Sequence, residues 1–247
     1  MSLQACADIV RKGDPDRFLA TMAAPVKARA VLFPIYAFNV EVARAPWVTV
    51  ESMIAEMRLQ WWRDALEEIG QGGSVRAHEV TTPLAGVLNA KAAEVLDRLV
   101  QARRWDIYKD PFEDAAHFSE YLDATSGGLV WASALALGAS DGEREIRNVA
   151  WASGLANWFL AIPELEARGR LPLVDGRTSA VAALAKEGLT KLCSMPPQSA
   201  KPALLATWRA RAILTRVARQ PERVAEGALT QSEFARRGSL LWRSLVT

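Results

Sequence analysis

Apolar side chains recur every three to four residues along nearly the whole chain, and nowhere do they alternate with period two long enough to make a strand. This pattern predicts main helices near residues 15–23, 26–45, 50–69, 88–106, 111–137, 142–168, 178–193, 198–219 and 230–246. The punctuation agrees. Asp14-Pro15, Thr82-Pro83 and Asp110-Pro111 each set a capping side chain before a first-turn proline. Glu113 stands at capping-box spacing from Asp110, as Glu233 does from Thr230, and Asp141 is placed to cap a further helix. Gly70, Gly138 and Gly169 follow periodic runs and suit the left-handed residue that ends a helix.

Two of these helices are unusually apolar. Residues 26–45 carry charge only at Lys27, Arg29, Glu41 and Arg44, the pattern of a central helix covered on most sides. In 50–69, Ile54, Met57, Trp61, Ala65 and Ile69 make one stripe, widened by Leu59, Trp62 and Leu66, with Glu67 and Glu68 on the wet side. The connections "IGQGGSVRAHEVTTP", "GRLPLVDGRTSA" and "CSMPPQSAKP" are loops without the length or composition of a domain linker. The expectation is a single all-α domain spanning residues 1–247.

Composition narrows the class. The 247 residues are 50% hydrophobic and 23% charged, which supplies an ample globular core. No run of about 18 apolar residues predicts a membrane-spanning helix. The opening "MSLQACADIVRKGDPDRF" has no secretory pattern, and Cys6 and Cys193 make neither a metal spacing nor a disulfide framework, so a cytoplasmic setting is expected. The net charge of +2 hides an uneven spread, because residues 201–247 hold nine Lys/Arg and three Asp/Glu. Such a basic end suits solvated helix faces, and equally an anionic membrane surface or an acidic partner. No aromatic-basic recognition motif accompanies it, so no nucleic-acid partner is expected.

Most candidate chemistry falls away. His78 and His117 have no acidic or cysteine neighbours at zinc-ligand spacing. There is no nucleophile elbow and no phosphate-cradling loop, and Gly127-Gly128 falls inside a helical pattern where close packing explains it. Asp64, Glu67 and Glu68 share a helix face without a comparable acidic set opposite, which describes a solvated surface better than a magnesium site. Most of the nine tryptophans stand at core spacing. Glu41, in an apolar helix, needs a cation, and Arg58 or Arg44 can supply it. Asn39 must bridge to a neighbouring helix or line a pocket, since buried amides find partners.

Three segments carry a resemblance. "RFLATMAAPVKARAVLFPIYAFNVEVAR", "RLQWWRDALEEI" and "GLANWFLAIPELEARGRLPL" are together similar in order and spacing to the squalene/phytoene synthase family, and "YLDATSGGLVWASALALG" adds a weaker fourth match. The resemblance implies an isoprenoid-synthase-like helical bundle around a central cleft. In that family two aspartate-rich motifs on facing helices hold Mg²⁺, a hard cation that takes oxygen ligands, and the metal neutralises a departing diphosphate. Here the first motif, D-D-x-x-D, falls on Ala43, Arg44, Ala45, Pro46 and Trp47. The second, D-x-x-E-D, falls on Ala161, Ile162, Pro163, Glu164 and Leu165, so one acid remains. Glu164 is either a residual polar contact in the cleft or a helix pair with Arg168 at i, i+4. Asn157, Arg168, Gly169 and Arg170 match the family around the gap.

The resemblance therefore assigns no catalytic and no metal-binding residue. Its pocket candidates are Tyr36, Asn39, Ala43, Trp47, Arg58, Trp62, Asn157, Ala161, Glu164, Arg168 and Arg170. The variant "YAFNVEVA" with "RLQWW" resembles the branch that includes a mitochondrial respiratory complex I assembly factor and is regarded as non-enzymatic. It implies an assembly or scaffold role with a respiratory-complex subunit or assembly intermediate as partner, no cofactor, and a position at the inner membrane face. Two alternatives stay open: an active head-to-head prenyltransferase using Mg²⁺, and a non-catalytic isoprenoid or lipid binder.

Overall fold

A computed structural model of the chain describes residues 3–230, 232–233 and 238–241. They contain no strand, and up to residue 230 the α-helices are α1 (Leu3–Gly13), α2 (Pro15–Ala23), α3 (Val26–Arg44), α4 (Ser52–Gly70), α5 (Thr81–Ala85), α6 (Ala90–Ala102), α7 (Ala115–Leu122), α8 (Gly128–Ala136), α9 (Glu143–Ala167), α10 (Thr178–Lys191), α11 (Lys201–Leu204) and α12 (Ala210–Arg219). A π turn, Asp123–Gly127, joins α7 to α8.

The apolar helices form the interior. Leu32, Ile35, Tyr36, Ala37 and Phe38 of α3 are almost fully buried, as are Leu129 to Ala134 of α8 and Ala150, Ala152, Leu155, Ala156 and Phe159 of α9. Around them α1 and α2 pack on α3, α6 lies between α4 and α8, and α10 lies between α9 and α12. One continuous apolar core runs through all of these helices. No helix among the described residues is long and apolar enough to cross a membrane.

Helix starts follow the sequence at α2, where Asp14 accepts from the Arg17 backbone N–H at 2.9 Å, and at α3 and α10, which begin at Val26 and Thr178 as expected; they depart from it at α5, α7 and α9. The segment expected as one helix over 111–137 begins instead at Ala115, capped by Asp114, which accepts from the His117 N–H at 2.8 Å. Phe112 is drawn away to stack on Trp105, ring centres 4.0 Å apart, and residues 111–114 stay irregular. Gly142, with φ of 74°, occupies the cap position of α9 in place of Asp141. At α5 the cap position falls on Val80, one residue before Thr81 rather than at Thr82.

The 198–219 segment breaks into α11, α12 and two 3₁₀ turns. Gly138 and Gly169 do adopt left-handed φ at helix ends, whereas after α4 that role passes from Gly70 to Gly72. The sequence pattern also overlooked α1, whose buried side is only Cys6, Ala7 and Val10. The helix expected over 230–246 lies largely outside the described residues.

Candidate functional site

A cleft of about 640 Å³ opens between α3 and α9. Asn39, Ala43 and Trp47 line one wall, and Asn157, Ala161 and Leu165 line the other. Each set repeats every fourth residue: Asn39 and Ala43 share a face of α3 with Trp47 following from the 3₁₀ turn Ala45–Trp47, and Asn157, Ala161 and Leu165 share a face of α9. Asp14, Asp16 and Arg17 enter from the start of α2, Arg103 and Asp106 from the turn after α6, Ser126 from the π turn, and Arg209 from the N-terminus of α12.

Seven of the sequence candidates meet at this cleft: Asn39, Ala43, Trp47, Asn157, Ala161, Glu164 and Arg168. Tyr36 lies beneath it, 1% exposed, its hydroxyl donating to the Ala203 carbonyl at 3.4 Å. Arg58 and Trp62 line a separate cavity on the other side of α3. Arg170 is buried behind the rim and donates to the Asp106 carbonyl. Glu164 pairs with Arg168 at 2.5 Å on an exposed helix turn, and Glu41 takes Arg44 at 3.2 Å rather than Arg58.

The cleft is ringed by charge in matched pairs. Arg17 bonds Asp14 at 2.7 Å, Arg103 bonds Asp106 at 2.9 Å, and Arg209 bonds Asp16. The most buried pair belongs to a small network. Tyr121 donates to one Asp106 oxygen at 2.8 Å and accepts from Arg103 at 2.7 Å. Burial raises the Tyr121 pKa well above the ordinary phenol value, with Arg103 opposing and Asp106 reinforcing, so it stays a neutral donor. Burial works against the charge on Arg103, but Tyr121 and Asp106 outweigh it and hold its pKa above normal. Beneath the network Trp158 packs edge-on against Phe112, Phe118 and Tyr121, and its indole N–H donates to the Pro172 carbonyl at 2.8 Å.

Sequence reasoning missed Asp14, Asp16, Arg17, Arg103, Asp106 and Arg209 as lining groups. Arg17 with Asp14 and Arg103 with Asp106 are i, i+3 pairs of a kind common on helix surfaces, and the partner of Arg209 lies 193 residues away, so nothing local marks them as cleft groups. Tyr121 does stand in the weaker fourth matching segment.

Magnesium does not fit this cleft. The facing positions that would carry its carboxylates hold Ala43, Arg44, Trp47, Ala161 and Leu165, the one acid among them, Glu164, is paired with Arg168, and the guanidinium groups of Arg168 and Arg170 lie 4.8 and 4.9 Å from the Trp47 ring centre. A divalent cation there would find apolar side chains, fixed positive charges and a single carboxylate already held by Arg168. Among the described residues no group of three His, Cys, Asp or Glu side chains is placed to hold a metal.

A family model described as squalene/phytoene synthase matches residues 10–175. A Drosophila melanogaster protein named NADH dehydrogenase (ubiquinone) complex I, assembly factor 6 homolog is 29% identical over 181 residues, 68% of this chain and 53% of that protein. The Homo sapiens protein named assembly factor 6 of the same complex is 22% identical over 172 residues, 64% of this chain and 48% of that one. The chain thus spans about half the length of the curated relatives it matches.

Among solved structures, a dehydrosqualene synthase in complex with ligand superposes with a TM-score of 0.74 at 15% identity, covering 99% of this chain and 95% of that one. The squalene synthase HpnC from Alicyclobacillus acidocaldarius gives 0.73 at 17% identity, covering 89% and 94%. The architecture is theirs: an all-α isoprenoid-synthase bundle around a central cleft.

Proposed function

The chain belongs to the squalene/phytoene synthase family, and from that premise we propose that it is a member without prenyltransferase chemistry that acts as an assembly factor for respiratory complex I. One observation carries the reading. The cleft is retained while the positions where the carboxylates would stand hold apolar side chains at Ala43, Trp47, Ala161 and Leu165, a cation at Arg44 and a single acid, Glu164, already paired with Arg168. Ionising a prenyl diphosphate inside a protein leaves a multiply charged anion that needs metal or a dense cluster of unpaired cations. The arginines Arg17, Arg103, Arg168 and Arg209 are each already matched to an acid. The names of the matched relatives, assembly factor 6 of complex I, support a subunit or assembly intermediate of that complex as the partner.

The test has two arms. Pure protein incubated with farnesyl or geranylgeranyl diphosphate and Mg²⁺ is expected to release no diphosphate, and deletion of the gene is expected to lower assembled complex I while terpenoid content stays unchanged. Measurable turnover, or a terpenoid defect with normal complex I, overturns the reading and restores the active prenyltransferase.

The open cleft supports a second reading, a non-catalytic lipid or isoprenoid binder. Trp47 and Trp158 border about 640 Å³ of space without filling it. Extraction of the purified protein followed by mass spectrometry tests this, and a stoichiometric co-purifying amphiphile is the expected result.

A further inference from the structure

The C-terminal end of α3 separates two cavities. Ala43, Arg44 and Trp47 face the cleft, whereas Glu41 and Ala45 line a second space of about 290 Å³ with Arg58, Trp61, Trp62 and His78. Its wall is aromatic. The Trp61 and Trp62 rings meet edge-on at 4.8 Å, and His78 stands 5.3 and 5.5 Å from them. Arg76, clamped by Glu68 at 2.6 Å, stacks 5.2 Å from the Trp61 ring centre and fixes that ring in place.

Two charges of opposite sign complete the cavity. The carboxylate of Glu41 is partly exposed, and its pairing with the exposed Arg44 is of the weak surface kind. Arg58 is exposed and has neither an ion pair nor a hydrogen bond among the described residues. Indole faces and a carboxylate attract an amine or a quaternary ammonium, and a guanidinium takes a phosphate. The cavity therefore offers complementary charge to a group with one anionic and one cationic end.

The surface leading into it is apolar. Val50 is fully exposed, Met53 is 74% and Met57 67% exposed, and Val48 and Ile54 are also open to solvent. Ile54, Met57, Arg58 and Trp61 stand at i, i+3, i+4 and i+7 of α4, one face, so the patch runs continuously into the cavity mouth. Through Trp47 and Val48 it also adjoins the lip of the cleft. Solvated Met and Val side chains clustered around a zwitterion-sized cavity match a phospholipid interface, where apolar groups enter the acyl boundary and headgroups lie just above.

We propose that the α3–α4 tip docks on a phospholipid bilayer, with Val50, Met53 and Met57 in the acyl boundary and a zwitterionic headgroup in the second cavity, its phosphate on Arg58 and its amine against Glu41 and the Trp61–Trp62 wall. The proposal goes beyond the assembly reading and does not depend on the cleft being without chemistry.

Sedimentation of the full chain with vesicles tests it, using phosphatidylcholine–phosphatidylethanolamine against pure phosphatidylglycerol, each at low and high salt. The expected result is binding to the zwitterionic vesicles that persists at high salt. Val50→Asp with Met57→Asp should weaken it at least tenfold, and Arg58→Ala or Glu41→Gln severalfold. Met53→Asp, on the same exposed tip, provides a second variant, and an unchanged thermal melt confirms that each variant is folded. Binding confined to phosphatidylglycerol and abolished by salt would assign membrane contact to the basic C-terminal end and overturn the proposal. So would zwitterionic binding that survives the tip variants, or no vesicle binding at all, which would leave the patch to a protein partner.

Discussion

The guanidinium carbon of Arg168 lies 4.8 Å from the centre of the Trp47 ring, joining the end of α3 to the end of α9 across the rim of the cleft. Arg170 approaches the same indole at 4.9 Å. In the family pattern these two helix ends are bridged by metal held between carboxylates. Here an aromatic face between two cations makes the bridge, and it needs no ion.

Replacing Trp47 by Ala should therefore cost about 1–2 kcal/mol in urea unfolding, since each partly exposed cation–π contact contributes roughly 0.5–1 kcal/mol. Trp47→Asp should fold, because two guanidinium groups receive the new carboxylate. It should gain no calorimetric Mg²⁺ binding, because Ala43, Ala161 and Leu165 still offer no oxygen and the one remaining acid, Glu164, is held by Arg168. A magnesium heat from that single variant would show that the rim is closer to a metal site than its side chains indicate.

The network beside the rim should be more sensitive. Tyr121→Phe removes a donor to Asp106 and an acceptor for Arg103, leaving buried polar groups short of a partner. The loss should be about 1–3 kcal/mol. Asp106→Ala strands the half-buried Arg103 charge and should cost about 2–4 kcal/mol, with a visible fall in soluble yield. Equal, small effects from both would mean that water already serves these groups.

Alkaline pH should unfold the chain by a route through Tyr36 and Cys6. Burial pushes the Tyr36 phenol from 10 up to about 12, and burial followed by Glu79 pushes the Cys6 thiol from 9 to about 11. Both folded values lie above the unfolded ones, so the fold favours the protonated forms. Their contribution is complete below pH 9, falls as the unfolded thiol and then the phenol ionise, and is gone above about pH 12. Urea midpoints measured from pH 8 to 11 should decline from near pH 9, and Tyr36→Phe should flatten the upper part of that curve.

The two thiols should also separate by reagent. Cys193 is exposed, while Cys6 is 0% exposed with its thiol donating weakly to the Glu79 carbonyl at 3.6 Å. The thiolate is the reactive form, so iodoacetamide at pH 8 should label Cys193 in the native protein and reach Cys6 only after denaturation. Mass spectrometry after digestion reads the two sites independently.

How much of this was legible in the sequence depended on how local the cause was. The long helices α3, α4 and α9 announced themselves because a periodic apolar face extends over 19, 19 and 25 residues. The start of α7 did not, because Asp110-Pro111 and Asp114 offer competing local signals. The winner was decided by Phe112 reaching Trp105, a tertiary contact. Likewise Ile54 and Met57 continue the apolar stripe of α4 and yet face solvent, because among the described residues the packing over the first turns of that helix falls on Ala55 and Leu59 and leaves their side open. At the cleft, the positions carried on α3 and α9 were accessible through motif alignment. The Arg103–Asp106–Tyr121 cluster was not, since its i, i+3 ion pair has a spacing common on any helix surface and Tyr121 joins it from a separate element, α7.

Gly154 tests how rigidly the cleft wall is built. A methyl group at this position would lie 2.6 Å from the Cβ of Ser126 and 3.0 Å from its hydroxyl. Ser126 belongs to the π turn and is tied to α9 by its bond to the Ala150 carbonyl at 2.9 Å, so it cannot swing aside without moving backbone. Overpacking of this kind costs about 1–3 kcal/mol, while Ala for Gly inside a helix returns up to about 1 kcal/mol. The clash should win, and Gly154→Ala should destabilise by about 1–2 kcal/mol in urea titration. Ser126→Gly removes the colliding carbon, so the double variant should be more stable than the sum of the single effects predicts. If Gly154→Ala proves neutral and the double variant merely additive, the π turn yields to pressure from α9, and the cleft wall is soft where these distances make it tight.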